Sequence, residues 1–214
     1  IGADIMVDSP LATVLGGERE VRLVFQSGSF PNKADWQVGI PPTYPQGVIA
    51  YSNDNTVTST MSINYGRNPA WDGTPVPNPP GADIPFAADT SAPLNADFAG
   101  DTAFYIAVDF ADQSFDLVVT VTSDLGEGVG VEQTQSTTLT LPDTPPPGYV
   151  PYIAYAPFSS FNLINFSDVD SITFTVSRST SLDVSFHEFG TVPEPATLTL
   201  VGMGLMVLAR RRRR

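Results

Sequence analysis

Along this chain the apolar residues alternate with period two far more than they recur every three or four positions, which is the pattern of half-buried strands. In Arg19 to Ser27, Val21, Leu23 and Phe25 point one way while Arg22 and Gln26 point the other, and Gly16-Gly17 supplies the preceding turn. Trp36 to Ile40 and Val48 to Ser52 follow, separated by the Pro41-Pro42 corner. Asn53-Asp54-Asn55 reads as a hairpin loop, because Asn and Asp tolerate left-handed backbone and bond their own main chain. The return strand, Thr56 to Tyr65, places Val57, Met61, Ile63 and Tyr65 inward and a row of Thr, Ser and Asn64 outward, on a face expected to be polar and exposed.

From Gly66 to Pro85 repeated prolines surround Trp71 and Asp72, and no central strand accepts them. The alternation resumes in Ala103 to Phe110, with Phe104, Ile106, Val108 and Phe110 on one face, and in Phe115 to Thr122, with Leu117, Val119 and Val121 inward. Val129 to Leu141 is a threonine-rich strand, and Pro142 to Gly148 a proline corner. Tyr149 to Phe158, Phe161 to Asp170, Ser171 to Ser177 and Leu182 to Phe189 complete the set. Nine or ten short strands and no helical periodicity before Pro193 predict an all-β, antiparallel two-layer sandwich. A jelly roll suits that strand number, since an immunoglobulin-like sandwich is usually smaller.

The pattern changes at Val192 to Arg214, VPEPATLTLVGMGLMVLARRRRR. The Pro193-Glu194-Pro195 corner is expected to interrupt any ladder or helix and so to uncouple what precedes it. The apolar run Ala196 to Ala209 is expected to be a single hydrophobic helix. Its 14 residues would span roughly 21 Å at ~1.5 Å per residue, short of the ~30 Å hydrocarbon core of a bilayer. Arg210, Arg211, Arg212, Arg213 and Arg214 lengthen it, because their stems snorkel, and mark a cytoplasmic end, which leaves everything before Pro193 outside the cytoplasm. A buried core helix, with the arginines as a nucleic-acid-binding or solubilising tail, is the competing reading. Five terminal charges and the helix-weakening Gly202 and Gly204 argue against it.

This three-part order resembles the PEP-CTERM sorting signal of bacterial exported proteins, carried here by Pro193, Glu194 and Pro195, the run Ala196 to Ala209, and Arg210 to Arg214. The resemblance implies that a membrane-embedded exosortase reads the tail, cuts near Pro-Glu-Pro and passes the protein to the cell surface. It implies residence at the inner membrane, with the β domain in the periplasm, before that step. Leu15-Gly16-Gly17-Glu18-Arg19, Phe158-Ser159-Ser160-Phe161 and Phe166 to Ile172 are also similar to segments of other PEP-CTERM ectodomains, and this second resemblance implies a jelly roll. The domains read as 1–190, an extracytoplasmic sandwich, and 191–214, the sorting signal.

Composition narrows the partners. About 190 of the 214 residues remain for one β domain, long enough to bury a core. The chain starts at Ile1, which fits removal of a secretory signal peptide. With no cysteine there is neither a disulfide scaffold nor thiol chemistry. Residues 1–190 hold 5 basic and 22 acidic side chains, a charge of −17. That balance disfavours nucleic acid and repels anionic lipid, leaving the tail as the membrane contact. Domains rich in Asp and poor in Lys, exported to where calcium is millimolar, suit that hard cation, although Asp is also a common loop residue.

Candidate chemistry is sparse. A hydrolytic triad needs a base, yet the one histidine, His187, lies outward on the last strand beside Glu188, with no Gly-x-Ser-x-Gly elbow in the chain. One histidine and no cysteine argue against zinc. Paired carboxylates could serve glycoside hydrolysis, but nothing in the sequence selects a pair. Asp168 and Asp170, two apart before a strand, can reach one cation or cap local amides. Asp4 and Asp8 with Asp183 form a second candidate calcium set, provided the first and last strands lie side by side. For a sugar face, which needs exposed rings beside polar groups, Trp36, Trp71, Tyr149, Tyr152 and Tyr155 qualify, with Trp71 and Tyr152 foremost. The expected role is a non-enzymatic, exported protein of the cell surface or extracellular matrix. The rivals are an exopolysaccharide-binding module and a structural subunit, self-assembling or held in a larger membrane complex.

Overall fold

In a computed structural model of the protein the described residues are 3–8, 18–28, 32–38, 48–66, 93–124, 132–144 and 150–194. They hold eleven strands: β1 Ala3–Asp8, β2 Glu18–Ser27, β3 Ala34–Val38, β4 Ile49–Asn53, β5 Thr58–Gly66, β6 Asp101–Ala111, β7 Phe115–Asp124, β8 Glu132–Leu141, β9 Tyr152–Pro157, β10 Val169–Thr180 and β11 Asp183–Pro193, with one 3-10 turn at Phe158–Ser160. Every strand pair is antiparallel.

Two sheets result, ordered β1-β2-β5-β10-β7-β8 and β3-β4-β11-β6-β9. Counted from β4 as the first of eight, one sheet runs first, eighth, third, sixth and the other second, seventh, fourth, fifth. Consecutive strands of these eight thus cross between layers, except β7 and β8, which are neighbours in one sheet, and this is jelly-roll order. β3 extends one sheet beside β4, and β2 and β1 extend the other beside β5.

The inward sets meet in one core. Val21, Leu23, Met61, Ile63, Leu117, Val119, Val121, Ile172, Phe174 and Val176 come from the six-stranded sheet, and Ile49, Tyr51, Phe104, Ile106, Val108, Val184 and Phe186 from the other. Side chains at every second position of a strand share a face, so the predicted alternation delivers these residues to the interior.

Several expectations fail for identifiable reasons. Asn53 to Asn55 is not a hairpin loop: β4 and β5 belong to different sheets, and the chain crosses the sandwich there, with Thr56 at φ 73° and Val57 fully buried. A buried polar ring holds the crossing. Asn53 Nδ2 donates to the Tyr51 hydroxyl at 2.6 Å, that hydroxyl donates to Ser59 O at 3.1 Å, and Ser59 Oγ donates to Asn53 Oδ1 at 2.6 Å.

Phe161 to Asp168 is a run of turns rather than a strand. Asn165 Oδ1 accepts from Ser167 N and Oγ, so Asn165, and not Asp168, makes the side-chain turn. Phe110 does not share the face of Phe104, because a bulge intervenes at Asp109. The outer face of β5 is polar but not open: Asn64 and Thr173 are buried and joined by a 2.8 Å hydrogen bond, and Ser62 bonds Thr175 at 2.9 Å. On β2 beside it, Glu20 and Arg22 are also buried, their side chains 3.6 Å apart.

Nor does the proline corner end the ladder. β11 runs to Pro193, which pairs with Asp101, and Glu194 N donates to Gly100 O at 2.9 Å. Beside a partner that needs no bond from that nitrogen, a terminal proline costs the ladder little. The apolar run and the arginines, from Pro195 to Arg214, lie outside the described residues, as do Trp71, Tyr149 and 67–92 as a whole. Among the described residues no helix is long and apolar enough to cross a membrane.

Candidate functional site

β6 lies inside the five-stranded sheet, between β11 and β9. With Phe104, Ile106 and Val108 turned into the core, Tyr105 and Ala107 take the opposite face of β6, Tyr105 partly exposed and Ala107 buried. Tyr105 stands opposite Tyr155 on one side and Gly190 on the other. Glycine at position 190 makes room for the Tyr105 ring, which crosses β11 at that point; a Cβ there would fall 2.6 Å from it and push the ring aside. The Tyr105 hydroxyl thereby reaches Glu188 and donates to its Oε1 at 2.5 Å.

The next row holds Ile153, Ala107 and Glu188. Beyond it, β6 and β11 bulge together: neither Asp109 nor His187 has a partner in the register. Displaced toward each other, Asp109 Oδ1 and His187 Nδ1 lie 2.6 Å apart. The outcome is an outward strip in which Tyr155 and Ile153, 54% and 53% exposed, sit beside Tyr105, followed by the Glu188 carboxylate and the His187–Asp109 pair. Apolar ring faces next to fixed acceptors and donors are the surface that packs on a pyranose ring while bonding its hydroxyls.

Ionisation of this strip is unusual at Tyr105. Its hydroxyl's bond to Glu188, then burial, then the negative charge of Glu188 raise its pKa to about 12. Tyr152 is also pushed up to about 12, by burial and then by the charge of Asp143. A tyrosine held above its unfolded value near 10 contributes stability that is fully present below pH ~10 and is lost as pH rises toward ~12. In an ultraviolet titration, Tyr105 and Tyr152 are expected to be among the tyrosines that ionise only near pH 12 in the native protein, with the delay abolished in denaturant. Complete phenolate formation by pH ~11 in native protein would contradict both assignments.

The residues singled out from sequence divide sharply. Tyr152 does not belong to the strip: it shares the register face of Val108, packs against the core, and its hydroxyl donates to Pro142 O at 2.8 Å. Tyr155, three residues on, takes the outward place. Trp36 lies in β3 opposite Tyr51 in register. His187 is outward as expected, at 45% side-chain exposure, and is paired. The first and last strands do not lie side by side, as the set of Asp4, Asp8 and Asp183 required: β1 is the edge of one sheet beside β2, while β11 lies inside the other. Asp183 instead clasps Asp112, its N–H donating to Asp112 Oδ1 at 2.9 Å and its carbonyl accepting from Asp112 N at 3.0 Å.

Asp170 is the buried member of the Asp168–Asp170 couple, at 8% exposure. Among the described residues no three His, Asp or Glu side chains converge tightly enough to hold a metal by themselves. Sequence reasoning missed Tyr105. Its signal was available, as the odd position between Phe104 and Ile106 in an alternating run. The bulge that brings Asp109 to His187 left no such trace.

Comparison with known proteins adds two findings. Among solved structures, the chain is similar to the family 11 carbohydrate-binding module of the cellulosomal cellulase Lic26A-Cel5E of Clostridium thermocellum, at 11% identity over 90% of this chain and 95% of that one, with a TM-score of 0.44. A family 11 module from Clostridium thermocellum in complex with a β-1,3-1,4-mixed-linked tetrasaccharide matches at 13% identity over 90% and 96%, with a TM-score of 0.42. No curated protein matches the chain. The family model of the PEP-CTERM protein-sorting motif matches residues 191–214, so this chain carries that sorting motif, which begins inside its last strand.

Proposed function

We propose that this is a non-enzymatic protein, delivered by an exosortase from the inner membrane to the bacterial cell surface or extracellular matrix, whose sandwich binds exopolysaccharide. The sorting motif supports the delivery. The observation that carries the binding is the outward pairing of Tyr155 with Tyr105 beside Glu188 and the His187–Asp109 pair. Two rings on adjacent strands would offer stacking faces to sugar units, with the Glu188 carboxylate and the His187–Asp109 pair on the same strip to bond ring hydroxyls.

Affinity electrophoresis of the full chain through gels containing the producing organism's own exopolysaccharide tests this reading. Retardation is expected, and Tyr155→Ala should weaken it by tenfold or more, the order of ~1.4 kcal/mol of lost stacking. Equal retardation of wild type and Tyr155→Ala would sink the assignment. Delivery is read separately: replacing Arg210 to Arg214 by serine should leave the protein mislocalised in a host with an exosortase. Self-assembly through β9 is less well supported, because Pro151 and Pro157 bracket that edge strand and remove the donors that a further strand would need.

A further inference from the structure

The two sheets leave four edges, and three of them are blunted. β1 has six residues, among them Asp4 and Asp8; β3 has five, with Asp35; and β9 is bracketed by Pro151 and Pro157. Short length, charge and proline are the devices that keep an edge from pairing with another chain. β8, the fourth edge, has none of them. Its ten residues, EQTQSTTLTL, hold neither proline nor lysine, and their single charge is Glu132 at the first position. Each is in register with β7, from Glu132 opposite Asp124 to Leu141 opposite Phe115, with no bulge to twist the edge away. In an antiparallel ladder alternate residues turn N–H and C=O toward the partner, so every second residue of β8 turns them away from β7. Among the described residues no further strand meets them.

The side chains along this edge are already ordered. On the outer face Thr134, Ser136, Thr138 and Thr140 are exposed, and three are tied to β7: Thr134 to Thr122 at 3.0 Å, Ser136 to Thr120 at 2.8 Å and Thr140 to Asp116 at 2.8 Å. On the inner face Gln135 clasps the turn that follows Phe161, its Nε2 donating to Asn162 Oδ1 at 2.8 Å and its Oε1 accepting from Leu163 N at 3.0 Å. That clasp holds Leu163, 60% exposed, beside the edge. Side chains fixed beforehand lose little entropy when a strand docks.

We propose that β8 is an association surface whose occupant is β8 of a second copy of this chain, paired antiparallel about a two-fold axis normal to the sheet, so that two six-stranded sheets become continuous. The strand is complementary to itself. Opposed residues in such a pair share a face, which puts the axis at Ser136 or Thr137 for the greatest overlap. Hydroxyl then faces hydroxyl along the outer row, a favourable cross-strand pair, while the two Glu132 carboxylates lie at opposite ends of the contact. Gln133 to Leu141 are uncharged, so nothing here selects a partner of opposite charge. Residues 1–190 carry 22 acidic and 5 basic side chains, so two copies repel at long range, and salt, which screens that repulsion, tightens the pair. The contact lies at the edge of one sheet and the sugar-binding strip on the other, so neither proposal depends on the other.

The test is sedimentation equilibrium of the full chain in density-matched detergent. Wild type should form dimers that tighten as salt is raised. The double variants Ser136→Lys, Thr138→Lys and Ser136→Glu, Thr138→Glu each oppose like charges in either register, and each should associate at least about a hundredfold more weakly. Mixed in equal amounts, they should associate again. Ser27→Lys with Ser52→Lys, the same charge change at exposed positions of β2 and β4, should associate no more weakly than wild type. Association through the tail, common to every variant, would survive the substitutions in β8. If a β8 variant fails to fold, hydrogen exchange of wild type decides: the amides of Glu132 to Leu141 should exchange more slowly in concentrated than in dilute protein. A monomeric wild type, β8 variants that associate as wild type does, no recovery on mixing, or association that salt weakens would overturn the proposal, as would exchange independent of concentration.

Discussion

Phe104→Ala is expected to remove about 3–5 kcal/mol of unfolding free energy, near the upper end for a large-to-small core change. Phe104 is 1% exposed, and five other rings surround it: Phe158 at 4.8 Å, Phe98 at 5.8 Å, Phe166 at 6.2 Å, Phe161 at 6.3 Å and Phe174 at 6.4 Å between centroids. Most of these contacts are edge-on or tilted, the arrangements that ring quadrupoles favour. The neighbours come from separate pieces of chain: the segment before β6, the 3-10 turn, the turns after it, and β10 of the opposite sheet. Phe158 and Phe166 are themselves stacked at 3.8 Å. Collapse into the vacated volume would require all of these pieces to move, so most of the cavity should persist and its full cost be felt. Urea unfolding should show a lower midpoint at an unchanged slope. A loss below ~1 kcal/mol would mean that this cluster does not join the sheets as described.

Gly66→Ala is expected to cost on the order of 3 kcal/mol, although it adds a single methyl group. Gly66 has φ 77°, where an L side chain is strained by ~1–2 kcal/mol. The added Cβ would lie 2.2 Å from Asp170 O, 2.8 Å from Leu94 Cβ and 2.9 Å from Leu94 N. Asp170 O accepts a 2.8 Å hydrogen bond from Leu94 N, so relief of the clash must break it or pull β5 from β10. Gly100 is the control. A Cβ there meets nothing within 4 Å, and Gly100→Ala should shift stability by no more than ~0.5 kcal/mol. Comparable melting temperatures for the two alanine variants would refute the close approach of Gly66 to Asp170.

Much of the candidate surface was open to sequence reading, but only as parity. Tyr155 was one of five candidate rings, but Tyr152 was placed ahead of it. Only the pairing of Tyr152 with Val108 shows that one ring of the couple turns inward. Similarly, spacing placed Asp168 and Asp170 together as a candidate cation pair, whereas the burial of Asp170 depends on the bulge that β10 makes against β7.

What the chain by itself determined is local. The alternation of Val21 and Leu23, of Met61 and Ile63, of Leu117, Val119 and Val121, and of Ile172, Phe174 and Val176 assigns each an inward face, and all are buried. The tail's order of Pro-Glu-Pro, apolar run and arginines is likewise readable without a fold, and it coincides with the sorting motif. Tertiary structure alone decided which strands pair, that β4 and β5 part into different sheets, that Asp109 and His187 bulge together, and that Pro193 is still in the ladder. The physical reason is that period-two patterning specifies a face but not a partner. Pairing and bulges are selected by contacts between residues far apart in the chain, such as the Tyr51–Asn53–Ser59 ring and the aromatic cluster around Phe104, whose energies no local window contains.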